Sequence, residues 1–268
     1  MPRILLFDSG VGGLSIYHEI KKSLPKANYH YYADHIASPY GDKNDEWLDQ
    51  RINRLLMKLN QTIKPDIIVL ACNTASTLSL ESLRAHIKTN IVGVVPAIKT
   101  ASENYQADII GLLATPATIE RTYIEALTNQ YSSNKTVIKI GSTELVALAE
   151  KKLHGGKILN QELQASIAPF LDANCKHVVL GCTHFPLLKP ELEAAAPNIH
   201  WIDSGVAIAN RVQTLLSQKA HSENEGEQTT PKTVESHFYS SAGIAESLQS
   251  YIKDIGFLMI TSHFLNDM

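Results

Sequence analysis

Short apolar runs alternate with longer amphipathic stretches along most of the chain. Several of these runs contain hardly any polar residue, which is typical of parallel strands covered by helices on both faces. The alternation predicts an α/β fold with mainly parallel sheets flanked by helices. The predicted strands are Ile4–Phe7, Tyr29–Tyr32, Ile67–Ala71, Ile91–Val95, Ile109–Leu113, Val137–Ile140, Val178–Gly181 and His200–Ile202.

Two of the stretches between strands have the leucine and isoleucine spacing of an amphipathic helix. The first reads "EWLDQRINRLLMKLNQTI", and the second has its apolar face at Leu163, Ile167 and Leu171. Nearer the C-terminal end, "SHFYSS" predicts a strand and "IAESLQSYIKDIG" predicts a helix. The polar stretch from about 217 to 235 has few large apolar side chains and predicts a loop.

Reactive or hydrogen-bonding side chains follow six of the strands directly. Because binding sites in open α/β sheets form beyond the carboxyl ends of the strands, we expect a site in these segments. The segments read "DSGVGG", "ADHIASPYGDK", "CNTAS", "ATPAT", "CTHFP" and "DSG".

The chain also contains a weak internal repeat. "ILLFDSG" is similar to "IGLLATP", and "DIIVLACNT" is similar to "KHVVLGCTH". The repeat predicts two similar half-proteins. It puts Cys72 in the first half at a position that matches Cys182 in the second.

Composition narrows the classes of function. The 268 residues suffice for two lobes or one large domain, and 44% apolar with 19% charged residues is ordinary for a globular protein. A net charge of −3 argues against a nucleic-acid or membrane surface as partner. No apolar stretch reaches the ~18 residues of a membrane-spanning helix, and "MPRILLFDSG" lacks the pattern of a signal peptide. Three widely spaced cysteines fit a reducing cytoplasm.

The matching cysteines allow several interpretations. A free cysteine is often only a buried apolar residue, and we interpret Cys175 in that way. A redox pair usually shows C-x-x-C spacing, which is missing, and Cys182 with His184 supplies only two candidate metal ligands. Two thiols across a small pocket suit inversion of a carbon, because one removes a proton from one face while the other returns a proton to the opposite face.

Structural interpretations also exist for the other segments. Asp8 or Ser9 is expected to cap a helix, and the N-terminus of that helix also suits an anion such as a carboxylate. "SPYGDK" predicts a turn or a substrate loop, and "ATPAT" predicts a capped helix start in which Thr118 can also face the site. A single glutamate on a helix, such as Glu150, is normally solvated.

Seven motifs between about Ile4 and Gln213 together resemble the glutamate racemases: "LFDSGVGGLS", "ADHIASPYGDK", "ACNTAS", "GVVPAIK", "GLLATPAT", "LGCTHFPLL" and "IDSG". The resemblance implies a first α/β lobe at 1–96 and 208–268, a second at 97–207, and an active site between the lobes. It implies interconversion of L- and D-glutamate without pyridoxal phosphate, metal or nucleotide. It also implies a homodimer in the cytoplasm of a bacterium, where D-glutamate is needed for peptidoglycan.

The resemblance assigns roles to individual residues. Cys72 takes the proton from D-glutamate and Cys182 takes it from L-glutamate. Asp8 and His184 are polar assistants beside the thiols, and Glu150 is linked to the second thiol. Asp8 and His184 also belong to the substrate-binding positions, and the other members of that set are Ser9, Pro39, Tyr40, Gly41, Asn73, Thr74, Thr118 and Thr183.

The chain departs from the family pattern in two places. Many members carry Cys-Pro where this chain has Ser142-Thr143, a position outside the two bases. The chain also begins close to the first motif, so activation by a cell-wall precursor, connected in some relatives with an N-terminal extension, is not expected. Two alternatives stay open. Aspartate racemases usually have Thr-Glu after the second cysteine, so Thr183-His184 favours glutamate, and a binding module without activity is disfavoured because both thiols are present.

Overall fold

The computed structural model describes residues 1–105, 107–222 and 235–265. Contacts within the chain divide it into two compact units. Unit 1 comprises Met1–Val94 and Gly205–Met268, and unit 2 comprises Val95–Ser204.

The strands are β1 (Arg3–Asp8), β2 (Asn28–Ala33), β3 (Ile67–Leu70), β4 (Ile91–Gly93), β5 (Ile109–Ala114), β6 (Thr136–Gly141), β7 (His177–Leu180), β8 (His200–Ile202), β9 (His237–Ser240) and β10 (Met259–Thr261). The α-helices are α1 (Leu14–Ser23), α2 (Asp45–Ile63), α3 (Asn73–His86), α4 (Ile98–Asn104), α5 (Pro116–Ile119), α6 (Thr122–Tyr131), α7 (Glu144–Leu153), α8 (Asn160–Asp172), α9 (Lys189–Ala195), α10 (Gly205–Ser222) and α11 (Glu246–Asp254). None of the helices among the described residues has the length and apolar character needed to cross a membrane.

Each unit contains one parallel sheet. The sheet of unit 1 has the strand order β10-β9-β2-β1-β3-β4, and the sheet of unit 2 has the order β6-β5-β7-β8. All recorded strand pairs are parallel. The order β2-β1-β3-β4 in unit 1 therefore recurs as β6-β5-β7-β8 in unit 2, as the internal repeat predicts.

The predicted α/β class and all eight predicted strands are confirmed, as are the later strand β9 and the helix α11. The sequence gives no signal for β10, because this edge strand has only three residues and none of them is buried. The first predicted helix is confirmed as α2. Asn44 caps it by accepting the N–H of Trp47 at 3.1 Å, and Lys64 ends it in the left-handed conformation (φ 51°).

Two expectations are wrong. Leu171 of α8 is 47% exposed, and Phe170 is the fully buried residue at the end of that helix face. At 3.6 residues per turn, Phe170 lies about two full turns after Leu163, whereas Leu171 is rotated out of the buried face. The loop predicted at 217–235 is also wrong in its first part, because α10 continues to Ser222. Residues 223–234 of that prediction lie outside the described residues.

The cores explain why each sheet keeps its register. In unit 1 the apolar face of α2 packs on one side of the central strands, around Leu5, Phe7 and Ile68. In unit 2, α7 and α8 pack in a cluster with Val178 and Trp201. Because strand side chains are buried on both faces of the sheet, the register of the strands is fixed. The loops at the carboxyl ends of the strands are therefore held in position by a rigid sheet.

Candidate active site

Asp8 is the last residue of β1, and its side chain organises the loop that follows. The carboxylate Oδ1 accepts the N–H of Gly10 at 2.7 Å, and the Asp8 side chain is fully buried. This bond closes an Asx-type turn. The expectation that Asp8 or Ser9 caps the next helix is wrong, because α1 begins at Leu14, with Gly13 before it and no side-chain cap.

Cys72 follows β3 after one residue and directly precedes α3, and it is 6% exposed. Its Sγ is 3.8 Å from the Oγ of Ser9, and that hydroxyl is 3.5 Å from Oδ1 of Asp8. The structure therefore brings together Asp8, Ser9 and Cys72, which come from the ends of the adjacent strands β1 and β3.

Asn73 and Thr74 form the buried first turn of α3. The Nδ2 of Asn73 is buried and has no hydrogen-bond partner among the described residues. A buried amide donor without a partner is costly for the fold, so it points to an acceptor that arrives with a ligand.

A buried ionic cluster anchors the segment Pro39–Gly41 through the side chain of Tyr40. The phenol of Tyr40 donates to Asp34 Oδ2 at 2.8 Å, and Arg51 donates to both oxygens of Asp34, at 2.7 and 2.6 Å. Tyr40, Asp34 and Arg51 are all nearly fully buried. Burial and the charge of Asp34 raise the pKa of the Tyr40 phenol well above its usual value, so this group stays neutral.

Asp34 and Arg51 are site-supporting residues that the sequence analysis missed. A signal existed for Arg51, which lies three residues after Leu48 and one before Ile52, on the apolar face of α2. A charged residue at such a position is rarely buried without a partner. Asp34 directly follows β2, at the strand end where functional side chains collect.

Unit 2 carries the second thiol. Cys182 follows β7 after one residue and is 8% exposed, and its Sγ is 3.9 Å from Nδ1 of His184. The other ring nitrogen, Nε2, is 2.8 Å from Oε1 of Glu150 on α7. The side chain of Glu150 is one-third exposed and contacts His184, so it is not the solvated glutamate that is usual on a helix.

The environment of His184 favours its protonated form. Burial by itself lowers the pKa of this imidazole, but the hydrogen bonds and negative charges of Cys182 and Glu150 outweigh that effect and raise the pKa well above its usual value. His184 is thereby suited to stabilise a thiolate on Cys182.

The remaining predicted residues of unit 2 lie at strand ends as well. Thr183 is buried between Cys182 and His184. Thr115 caps α5 by accepting the N–H of Thr118 at 3.4 Å, and the fully buried Thr118 has its hydroxyl 2.9 Å from that of Thr115. The capping prediction is confirmed.

Cys175 belongs to neither group. It is 2% exposed, and its thiol donates to the carbonyl of His177 at 3.4 Å. Burial raises the pKa of this thiol, which makes it unreactive. Within the described ranges, no group of three or more His, Cys, Asp or Glu side chains is arranged to hold a metal ion.

Known proteins similar to this chain point to one family. The sequence pattern of the Asp/Glu/hydantoin racemases matches residues 4–212. A glutamate racemase of Pasteurella multocida is 48% identical over 219 residues, which is 81% of each chain. A glutamate racemase of Vibrio cholerae serotype O1 is 50% identical over 216 residues, covering 80% of this chain and 81% of the relative. The crystal structure of Escherichia coli glutamate racemase with L-glutamate and the activator UDP-MurNAc-Ala matches with a TM-score of 0.88 at 38% identity, covering 97% of each chain.

Proposed function

Because the chain belongs to the Asp/Glu/hydantoin racemase family, we propose that it is a glutamate racemase that uses Cys72 and Cys182 as its two acid–base groups. The observation that supports this most is the placement of one thiol per unit at equivalent strand ends, each beside polar side chains. D-Glutamate made in this way supplies peptidoglycan synthesis, as the family membership implies.

In each turnover, one proton leaves the α-carbon of glutamate and another proton is added to the opposite face. With D-glutamate, the Cys72 thiolate removes the α-proton, the electron pair of the C–H bond stays on the α-carbon, and the Cys182 thiol donates its proton to the opposite face. The products are L-glutamate, a Cys72 thiol and a Cys182 thiolate. With L-glutamate the two thiols exchange roles. One thiolate and one thiol are present before and after each turnover, so the charge on the protein does not change.

The two thiols have different assistants in this proposal. His184, held protonated by Glu150, stabilises the Cys182 thiolate. In unit 1, the Ser9 hydroxyl contacts both the Cys72 thiol and the Asp8 carboxylate. In this proposal Asp8 also offers a negative charge to the ammonium group of the substrate. The repeat is therefore similar in fold but different in proton chemistry.

Substrate binding is assigned to groups at the strand ends. The Nδ2 of Asn73 and the first turn of α3, with Thr74, suit a carboxylate of glutamate. The Tyr40 phenol is engaged by Asp34, so we assign the contacts of Pro39, Tyr40 and Gly41 mainly to their backbone. Ser9, Thr118, Thr183 and His184 complete the proposed set.

Racemisation assays test the function directly. The purified chain should interconvert L- and D-glutamate with no added cofactor, and in D₂O the α-hydrogen should exchange with solvent during turnover. Aspartate is the alternative substrate, and it should react far more slowly. A faster rate with aspartate would reassign the substrate, and no racemisation of either amino acid would refute the function.

The resemblance also supports two finer proposals. We propose a homodimer, which sedimentation or light scattering would detect as twice the 29.5 kDa mass of one chain.

We also propose the bacterial cytoplasm as its location, since the similar racemases come from bacteria. Fractionation of cells that express the chain would test the location.

Asp8→Asn should reduce turnover much more than stability. Asparagine keeps an oxygen that accepts the Gly10 N–H, so the turn survives, whereas the negative charge beside Ser9 and Cys72 is lost. We expect kcat/KM to fall by about 10²-fold, the lower end for loss of an acid–base group. Asp66→Asn is the control, because Asp66 binds Lys219 and the N–H of Arg3 at the opposite end of β1. A lower melting temperature with unchanged turnover in Asp8→Asn would contradict the assignment.

Glu150→Gln should lower the pKa of His184, because the charge of Glu150 helps to raise it. A raised pKa in the folded state adds stability that is fully present below the unfolded histidine pKa and is lost as the pH rises through the folded pKa. Stability should therefore decline less on the alkaline side in Glu150→Gln than in the wild type. NMR titration of the imidazole and urea unfolding at several pH values measure this, with Glu144→Gln on the same helix as control. An unchanged His184 pKa would refute the predicted coupling.

A further inference from the structure

Two side chains of α7 reach the same short segment of unit 2. Glu150 contacts His184, and Lys152 contacts the 3₁₀ turn Phe185–Leu188 that begins immediately after His184. Residues separated by two positions in the sequence, such as Glu150 and Lys152, point about 200° apart around the axis of a helix. Glu150 and Lys152 therefore lie on opposite edges of the buried face of α7, which contains Leu145, Ala149 and Leu153.

Lys152 makes a well-defined set of contacts for a partly exposed lysine. Its Nζ donates to the carbonyl of Leu187 at 2.8 Å and lies 2.8 and 2.7 Å from the two carboxylate oxygens of Glu191 on α9. Leu187 in turn donates its N–H to the carbonyl of His184 at 3.1 Å. A continuous chain of hydrogen bonds therefore runs from Lys152 to the backbone of His184.

We propose that Lys152 is a positioning residue, which holds the 3₁₀ turn and α9 against α7 so that Glu150 meets His184 at hydrogen-bond distance. Lys152 touches neither thiol nor substrate in this proposal, which rests on the proposed racemase function. Without it, the turn loses its bond from the Leu187 carbonyl to α7, and α9 loses its ion pair with α7. A small displacement of the turn lengthens the bond between Glu150 and His184.

The chain offers a matched control one residue away. Lys151 also pairs with a glutamate, Glu162, at 2.9 Å, but it lies on another side of α7 and contacts neither the 3₁₀ turn nor α9 in its recorded bonds. Both lysines are about one-third to one-half exposed, so each pair contributes little to stability by itself. A difference between the two variants therefore reports position rather than loss of an ion pair.

The decisive experiment compares Lys152→Met with Lys151→Met in the full chain. Methionine keeps much of the aliphatic stem but makes no bond to the Leu187 carbonyl. We expect Lys152→Met to lower kcat/KM by roughly tenfold, since small misplacements of catalytic groups are costly. Lys151→Met should keep wild-type kcat/KM, Lys152→Arg should restore most of it, and Glu191→Gln should give an intermediate loss because the Leu187 bond remains.

The pKa of His184, measured by NMR, separates positioning from simple electrostatics. Cys182 and Glu150 are the titratable groups that shift this pKa. Removal of a nearby positive charge would raise the pKa, whereas a lengthened bond to Glu150 lowers it, and we expect Lys152→Met to lower it. An unchanged or raised pKa, or equal effects of the two methionine variants, would overturn the proposal. Absence of racemisation in the wild type would instead refute the proposed function, and the pKa comparison would still decide the role of Lys152.

Discussion

Replacing either Cys72 or Cys182 by alanine should lower kcat/KM for glutamate racemisation by about 10³-fold or more, within the range that acid–base groups contribute. In the proposed mechanism each thiol acts as base in one direction and as acid in the other, so neither direction can proceed normally without both. The two enantiomers of glutamate have equal free energies. Thermodynamics therefore requires kcat/KM to fall by the same factor for L- and D-glutamate.

Exchange of the α-hydrogen with D₂O separates the two thiols where racemisation rates cannot. Cys182→Ala retains Cys72 and should exchange the α-hydrogen of D-glutamate without inverting it. Cys72→Ala should do the same with L-glutamate only. Cys175→Ala is the control and should racemise normally, because its thiol donates to the carbonyl of His177 at the amino end of β7, away from the carboxyl ends of the strands. Full racemisation by either active-site variant would refute the two-thiol mechanism, and reversed exchange preferences would reverse the assignment.

Arg51→Met should lower the free energy of unfolding by about 3–5 kcal/mol, the usual effect of removing one partner of a buried ion pair. Arg51 is 5% exposed and makes two bonds to the fully buried Asp34. The variant leaves the Asp34 carboxylate buried with Tyr40 as a bonded donor. Urea unfolding measures the loss, and Arg54→Met, on an exposed position of the same helix, should cost little.

The same variant has a functional consequence. Asp34 also donates its backbone N–H to the carbonyl of Asp8 at 2.9 Å, so the cluster joins the loops after β1 and β2. Loosening it should raise KM for glutamate through Pro39–Gly41. The double variant Arg51→Met, Asp34→Asn should recover part of the stability, because no unpaired charge stays buried. A loss below about 1 kcal/mol in Arg51→Met would show that water relieves the Asp34 charge.

Sequence patterns predicted the main elements because their signals are local. The eight predicted strands are short apolar runs, and α2 has an apolar stripe with a period close to that of the helix. Leu171 shows the limit of such reading. Leu163, Ile167 and Leu171 are spaced by four, yet the phase of α8 buries Phe170 instead. A three-residue edge strand such as β10 has too little apolar pattern to be seen at all.

By itself, the sequence determined the α/β class, the repeat, the two matching thiols and the segments at the strand ends, because each depends on neighbouring residues or on motifs in order. Only the tertiary structure decided which side chains support them. Glu150 meets His184, Arg51 meets Asp34, and Lys152 meets the carbonyl of Leu187 across gaps of 34, 17 and 35 positions. Such pairs depend on how helices are rotated and packed against the sheets. Local sequence patterns do not reveal that rotation, because it is selected by the close packing of the whole core.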